Sequence, residues 1–132
     1  MSTPAEVVET DTGTITRYRR HPLGRGLVAS GATVDPTAHI ERTAYVEPGA
    51  IVGRGAWIGA TAWIDRDATV GAAAVIGANV HVGQNASIGH GARVGGHSRI
   101  GANARVGNGA NVPGDSQITP FTVIPGPGDI PA

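Results

Sequence analysis

The chain has 132 residues, a length that suits one domain. Its ten basic and ten acidic side chains cancel, so no net charge attracts nucleic acid or a membrane surface, and neither partner is predicted. Cysteine is absent, which excludes disulfides, thiolate metal sites and a cysteine nucleophile.

Residues 1–26 differ from the rest of the chain and are predicted to form an N-terminal arm. They lack the apolar stretch of a secretory signal, so synthesis in the cytoplasm is expected. Two strand-like stretches flank Asp11-Thr12-Gly13, which predicts a short hairpin, and a basic linker follows over residues 19–26. This segment is predicted either to cap the first coil or to dock on a partner in a larger assembly.

From residue 28 onward, Val or Ile recurs every six residues without an insertion, from Val28 to Ile130. A small residue, most often Ala, stands two places before nearly every aliphatic, and Gly follows the aliphatic nine times. A period of six fits neither an α-helix nor simple strand alternation, but it fits a short strand followed by a turn. Three such units predict a triangular coil of 18 residues, in which side chains 18 apart stack on one another.

This pattern resembles the hexapeptide-repeat superfamily, which includes bacterial acyltransferases and γ-class carbonic anhydrases. The resemblance covers residues 28–130. It implies an all-β fold, a single-stranded left-handed parallel β-helix of about six triangular coils over residues 27–132. Members of the superfamily commonly assemble as parallel trimers, so a homotrimer is also expected.

The residue before each aliphatic points outward from a flat face, and these positions supply the candidate surface residues. Exposed aromatic rings on flat faces are favoured at interfaces, which predicts a role in the trimer. The predicted interface residues are Tyr45, Trp57, Trp63 and His81. One coil carries an arginine on each face, and these are predicted to bind an anion such as the phosphates of CoA. They are Arg93, Arg99 and Arg105.

The resemblance to hexapeptide-repeat acyltransferases also implies a candidate catalytic residue, His90. Sugar O- and N-acetyltransferases of the superfamily carry a general-base His two places after the aliphatic, and Ile88-Gly89-His90 is similar. The chain departs from their pattern because Gly91 replaces the acid that often follows this His. The loop that closes over the acceptor is also missing.

No metal site is predicted. The γ-class carbonic anhydrases bind metal through histidines, two of them five residues apart on adjacent sides of the coil. His90 matches the first of that pair, but Gly95 stands in place of the second. The imidazole cluster that such a metal requires is therefore not visible in the sequence.

Two classes of function remain open. An uninterrupted repeat favours a non-catalytic structural or interaction module without a cofactor, because enzymes of this fold usually build their sites from interruptions. This module would be a rigid trimeric prism that assembles with or decorates a larger complex or particle. The alternative is a small acyl-CoA-dependent O- or N-acyltransferase with His90 as the general base.

Overall fold

The structure, a computed structural model, describes residues 6–9 and 15–127. Its strands, in chain order, are β1 (Glu6–Glu9), β2 (Ile15–Arg20), β3 (Leu27–Ala29), β4 (Thr33–Val34), β5 (His39–Ile40), β6 (Tyr45–Val46), β7 (Ile51–Val52), β8 (Trp57–Ile58), β9 (Trp63–Ile64), β10 (Thr69–Val70), β11 (Val75–Ile76), β12 (His81–Val82), β13 (Ser87–Ile88), β14 (Arg93–Val94), β15 (Arg99–Ile100), β16 (Arg105–Val106), β17 (Asn111–Val112), β18 (Gln117–Ile118) and β19 (Val123–Ile124). Within these ranges no helix is long and apolar enough to cross a membrane.

The strands form three flat sheets, which are the faces of a triangular prism. The first face has the order β1-β2-β3-β6-β9-β12-β15-β18, the second runs from β4 to β19, and the third runs from β5 to β17. From β3 onward, strands one coil apart pair in parallel, as Ser87 does with Thr69 and Arg105. The chain is a left-handed parallel β-helix of about five turns, which confirms the predicted all-β fold.

A ladder of Val and Ile with Ala beside it fills the narrow interior. The predicted aliphatic positions are buried from Val28 to Val112, with partial exposure only at Val34 near the start. Ile118 and Ile124 are partly buried near the other end, because fewer coils cover them. Ile130 lies outside the described residues.

Glycine follows many of the aliphatic residues because this position points at the backbone of the next coil. A Cβ atom at Gly89 would lie only 2.6 Å from the backbone nitrogen of Asn108. No side chain fits at that distance, so glycine sets how closely successive coils approach each other.

The N-terminal strands extend the first face in the antiparallel sense. β1 pairs with β2, and β2 pairs with β3, while the predicted turn at Asp11-Thr12-Gly13 lies outside the described residues. Tyr18 packs with Leu27 and Ala29 in a small apolar cluster beside the main core. His21 is buried in the turn that follows, and its Nε2 donates a hydrogen bond to the Ala38 carbonyl at 2.8 Å.

Replacing Ile88 with Asp should destabilise the coil by more than about 4 kcal/mol, because the core offers an ionised carboxylate no partner. Ile88 is only 1% exposed and lies in a middle coil. Chemical denaturation followed by circular dichroism measures the loss. The matched control is Asn111→Asp, at an exposed outward position, which should change the free energy of unfolding by less than about 0.5 kcal/mol. Equal losses in both variants would contradict the assigned register.

The thermal stability of the chain should fall on acidification, with His21 responsible for part of the fall. Burial lowers the pKa of His21 from its usual 6.5, and the Ala38 carbonyl opposes that effect only in part. The unfolded chain therefore binds this proton more readily, so His21 adds stability above about pH 6.5 that is lost as the pH drops below it. Melting temperatures between pH 7.5 and 5 should fall further for the native chain than for His21→Gln. Parallel curves would show that His21 is not involved.

Candidate functional site

Small residues line one corner of the prism, the one that joins the second face to the third. Four of its turns carry a small residue at positive φ, namely Gly55, Ala73, Gly91 and Gly109. Most of the corresponding residues on the other corners are larger: Thr61, Asn79, His97 and Asp115 on one, and Asp67, Asn85, Asn103 and Phe121 on the other. A Cβ atom at Gly91 would meet nothing within 4 Å, so the chain's own packing leaves room there. We call this edge the small-residue corner.

His90 lies exposed on the small-residue corner and is held by the coils on either side. The His90 ring accepts a hydrogen bond at Nδ1 from the backbone N–H of Ala72 at 3.1 Å. The backbone N–H of His90 donates to Asn108 Oδ1 at 2.9 Å. A neutral imidazole that accepts at Nδ1 carries its proton on Nε2. In the described part of the chain no carboxylate hydrogen-bonds to His90, as Gly91 in the next position leads one to expect.

A groove runs beside this corner on the second face. Its lining includes Gly89, Arg105, Asn108 and Val123. Arg105 therefore lines the same groove as Gly89, the residue before His90. Arg93 is the first residue of β14, the strand of the third face that directly follows the turn carrying His90.

Arg99 lies on the first face, which is opposite the small-residue corner. It lines a separate groove of about 430 Å³ together with Asp65, His81 and Gln117. The three arginines therefore point from three different faces, and one chain cannot bring all of them to a single ligand.

Two histidine–carboxylate pairs were missed by the sequence analysis. His39 Nε2 lies 2.6 Å from Glu41 Oε1, and the His39 ring stacks on Trp57 with centroids 3.8 Å apart. His81 Nε2 lies 3.0 Å from Asp65 Oδ2, and its ring stacks on Trp63 at 4.3 Å. The sequence signal for the second pair is a separation of 16 residues. Asp65 directly follows the aliphatic Ile64, and this separation places it diagonally beside His81, which points outward in the next coil.

The predicted interface residues divide between two faces. Trp57 lies on the third face and is 46% exposed, whereas Tyr45, Trp63 and His81 follow one another on the first face. Among the described residues no three His, Asp or Glu side chains come together in a way that could hold a metal ion. His97 lies on a different corner from His90.

Comparisons with known proteins agree with this architecture. The family model for bacterial transferase hexapeptide (six repeats) matches residues 79–114, and curated protein sequences gave no match. The acetyltransferase domain of PglB from Neisseria gonorrhoeae, in complex with acetyl coenzyme A, is 26% identical with a TM-score of 0.71 over 80% of this chain and 52% of that one. A second structure of that domain is 26% identical with a TM-score of 0.59 over 86% and 58%. PerB from Caulobacter crescentus, in complex with CoA and GDP-perosamine, is 29% identical over 75% and 53%, with a TM-score of 0.41.

The chain thus spans between half and three-fifths of the length of the two PglB structures. Their likeness overturns the preference for a non-catalytic structural module without a cofactor, because the similar domain is an acetyltransferase that holds acetyl coenzyme A. The physical reason for the error is that an uninterrupted coil still has grooves along its corners, so a site does not need an inserted loop. The family-model match over residues 79–114 and the likeness in fold to the PglB domain support the resemblance to hexapeptide-repeat left-handed β-helices.

Proposed function

We propose that the chain is an acyltransferase domain that uses acyl-CoA and works as a homotrimer. The observation that carries this proposal is the placement of His90 on the small-residue corner, between one face that carries Arg93 and another that carries Arg105. The likeness to an acetyltransferase domain in complex with acetyl coenzyme A supports the same function.

The small-residue corner is the best candidate for the place where subunits meet. A column of Gly and Ala lets a second backbone approach closely, and the two faces beside it carry exposed apolar side chains such as Ile51 and Trp57. In this arrangement Trp57 lies in the interface. Tyr45, Trp63 and His81 then lie on the outward face.

The groove beside the corner fits an extended anionic ligand. Arg105 supplies a guanidinium, the group best suited to phosphate, and Arg93 on the adjoining face could reach the same ligand from a neighbouring subunit. Gly89 leaves the backbone of the groove accessible to a narrow chain such as pantetheine. Arg99 is assigned to the outer surface in this trimer.

The acyl-CoA thioester would supply a carbonyl that an amine or hydroxyl acceptor can attack. As the acceptor bonds to the acyl carbon and the carbon–sulfur bond breaks, His90 would take the proton that the acceptor loses and return it to the departing thiolate, which leaves as the free thiol of CoA. Because Nδ1 accepts the Ala72 N–H, the exposed Nε2 is protonated in the isolated chain and cannot act as a base there. For Nε2 to accept the proton, the ring would have to leave the Ala72 amide and Nδ1–H would need an acceptor.

The trimer should depend on Trp57 and not on Trp63. Light scattering of the purified chain should give about three times 13.3 kDa. Trp57→Ser should lower the mass toward that of one chain because it removes apolar area from the interface, and the matched variant Trp63→Ser should not. A native chain that stays monomeric at micromolar concentration would refute the proposed trimer.

Acetyl-CoA should raise the melting temperature of the trimer by mass action, because it binds the folded state only. Arg105→Gln should reduce this shift by removing a phosphate contact, whereas Arg99→Gln on the opposite face should leave it unchanged. The shift should also weaken at high salt, as expected for a charged ligand.

His90→Gln should keep the shift but lower acyl transfer by at least about a hundredfold, the usual contribution of a general base. Release of free thiol from acetyl-CoA, with a panel of amino and hydroxy sugars as acceptors, measures the transfer. His97→Gln on another corner is the control and should retain activity. Absence of a shift with millimolar acetyl-CoA would count against the acyltransferase assignment.

A further inference from the structure

Three aromatic rings and one carboxylate surround an open pocket on the first face. The pocket is lined by Tyr18, Tyr45, Glu47 and Trp63. The rings of Tyr18 and Tyr45 meet edge to face, with centroids 5.9 Å apart and planes at 86°. His81 stacks on one face of the Trp63 indole, so that ring is held in place while it borders the pocket.

Glu47 supplies a negative charge beside the pocket, and the Arg66 guanidinium lies near enough for its charge to act on the adjoining Tyr18 hydroxyl. Its carboxylate accepts a hydrogen bond from the Tyr18 hydroxyl and another from Trp63 Nε1–H at 2.7 Å, and both donors are uncharged. No ion pair involves Glu47 among the described residues. Burial, reinforced by the hydrogen bond to Glu47, raises the pKa of Tyr18, so this hydroxyl remains a neutral donor and the charge stays on the carboxylate.

We propose that this pocket binds an organic cation, of the quaternary or alkylated ammonium class. Electron-rich ring faces attract a cation whose methyl groups can contact them, and the half-buried Glu47 adds an opposite charge at the edge. A metal ion would need several oxygen or nitrogen ligands, and the pocket offers one carboxylate whose two oxygens already accept hydrogen bonds. Aromatic walls with a single carboxylate therefore suit an alkylated ammonium better than an inorganic ion.

The pocket lies apart from the proposed acyl-transfer site. Tyr45 and Trp63 project from the first face, whereas His90 lies on the corner between the other two faces. The proposal does not rest on acyl transfer, and either can fail without the other. It does require that this face stay accessible in the assembled protein.

Choline chloride is the probe, tested against the full-length chain in its native oligomeric state. The chain has two tryptophans, so its two indole N–H resonances report on the pocket and on a control position. Choline should shift the Trp63 indole resonance saturably, in the millimolar range or tighter, and leave that of Trp57 unchanged. The neutral isostere 3,3-dimethylbutan-1-ol should produce no saturable shift, and matched sodium chloride corrects for ionic strength.

Glu47→Gln should weaken choline binding by at least about tenfold, because it removes the charge that faces the cation. The matched control is Glu41→Gln, which alters the carboxylate beside Trp57 and His39 and should leave the affinity unchanged. Tyr45→Leu removes one ring without touching the hydrogen bonds of Glu47 and should also weaken binding, so the test survives if Glu47→Gln fails to fold. Equal response to the neutral isostere, equal shifts at both indoles, or no shift at all would overturn the proposal.

Discussion

The stacking of each coil on the one before it is the constraint on which the rest of the structure depends. Strands of two residues are too short to hold together by themselves, and each gains its backbone hydrogen bonds only from the coils one turn away. The interior is just wide enough for one aliphatic and one small residue per side, as Ile88 and Ala86 show. An extra residue within a strand would break both the ladder and the hydrogen bonds, which explains why the period of six persists without an insertion.

This constraint also shapes the candidate site. Gly89 must be glycine to let successive coils approach, so the residue directly before His90 has no side chain. The further small residues at Gly55, Ala73 and Gly91 are not demanded by contacts within the chain, since the other corners carry Thr, Asn, His and Asp in the same conformation. The small size of these residues is therefore a property of the outer surface and not of packing within the chain.

The fold could be predicted almost fully from sequence because the period assigns every outward residue to its face. That Trp63, His81 and Arg99 share a face follows from simple counting. The pairing of His81 with Asp65 could not be seen this way, because it depends on side chains leaning across coils at a separation of 16. The preference for a non-catalytic module was wrong for a related reason. Grooves such as the one beside Arg105 form between side chains of successive coils, and no insertion in the sequence marks them.

The repeat has a further consequence for how such a chain can change its length. Each coil touches only its immediate neighbours, so the molecule behaves as a one-dimensional stack. Loss or duplication of 18 residues before His90 would keep the hydrogen-bonding register and move His90 by one coil along the same corner. A change of six residues would preserve the core equally well but rotate everything that follows by one face. A deletion would move Arg105 to the face that carries Arg99, and an insertion would move it to the face that carries Arg93. Insertions or deletions in multiples of six residues are therefore compatible with the fold. A surface side chain stays on its own face of the prism only when the change is a multiple of 18.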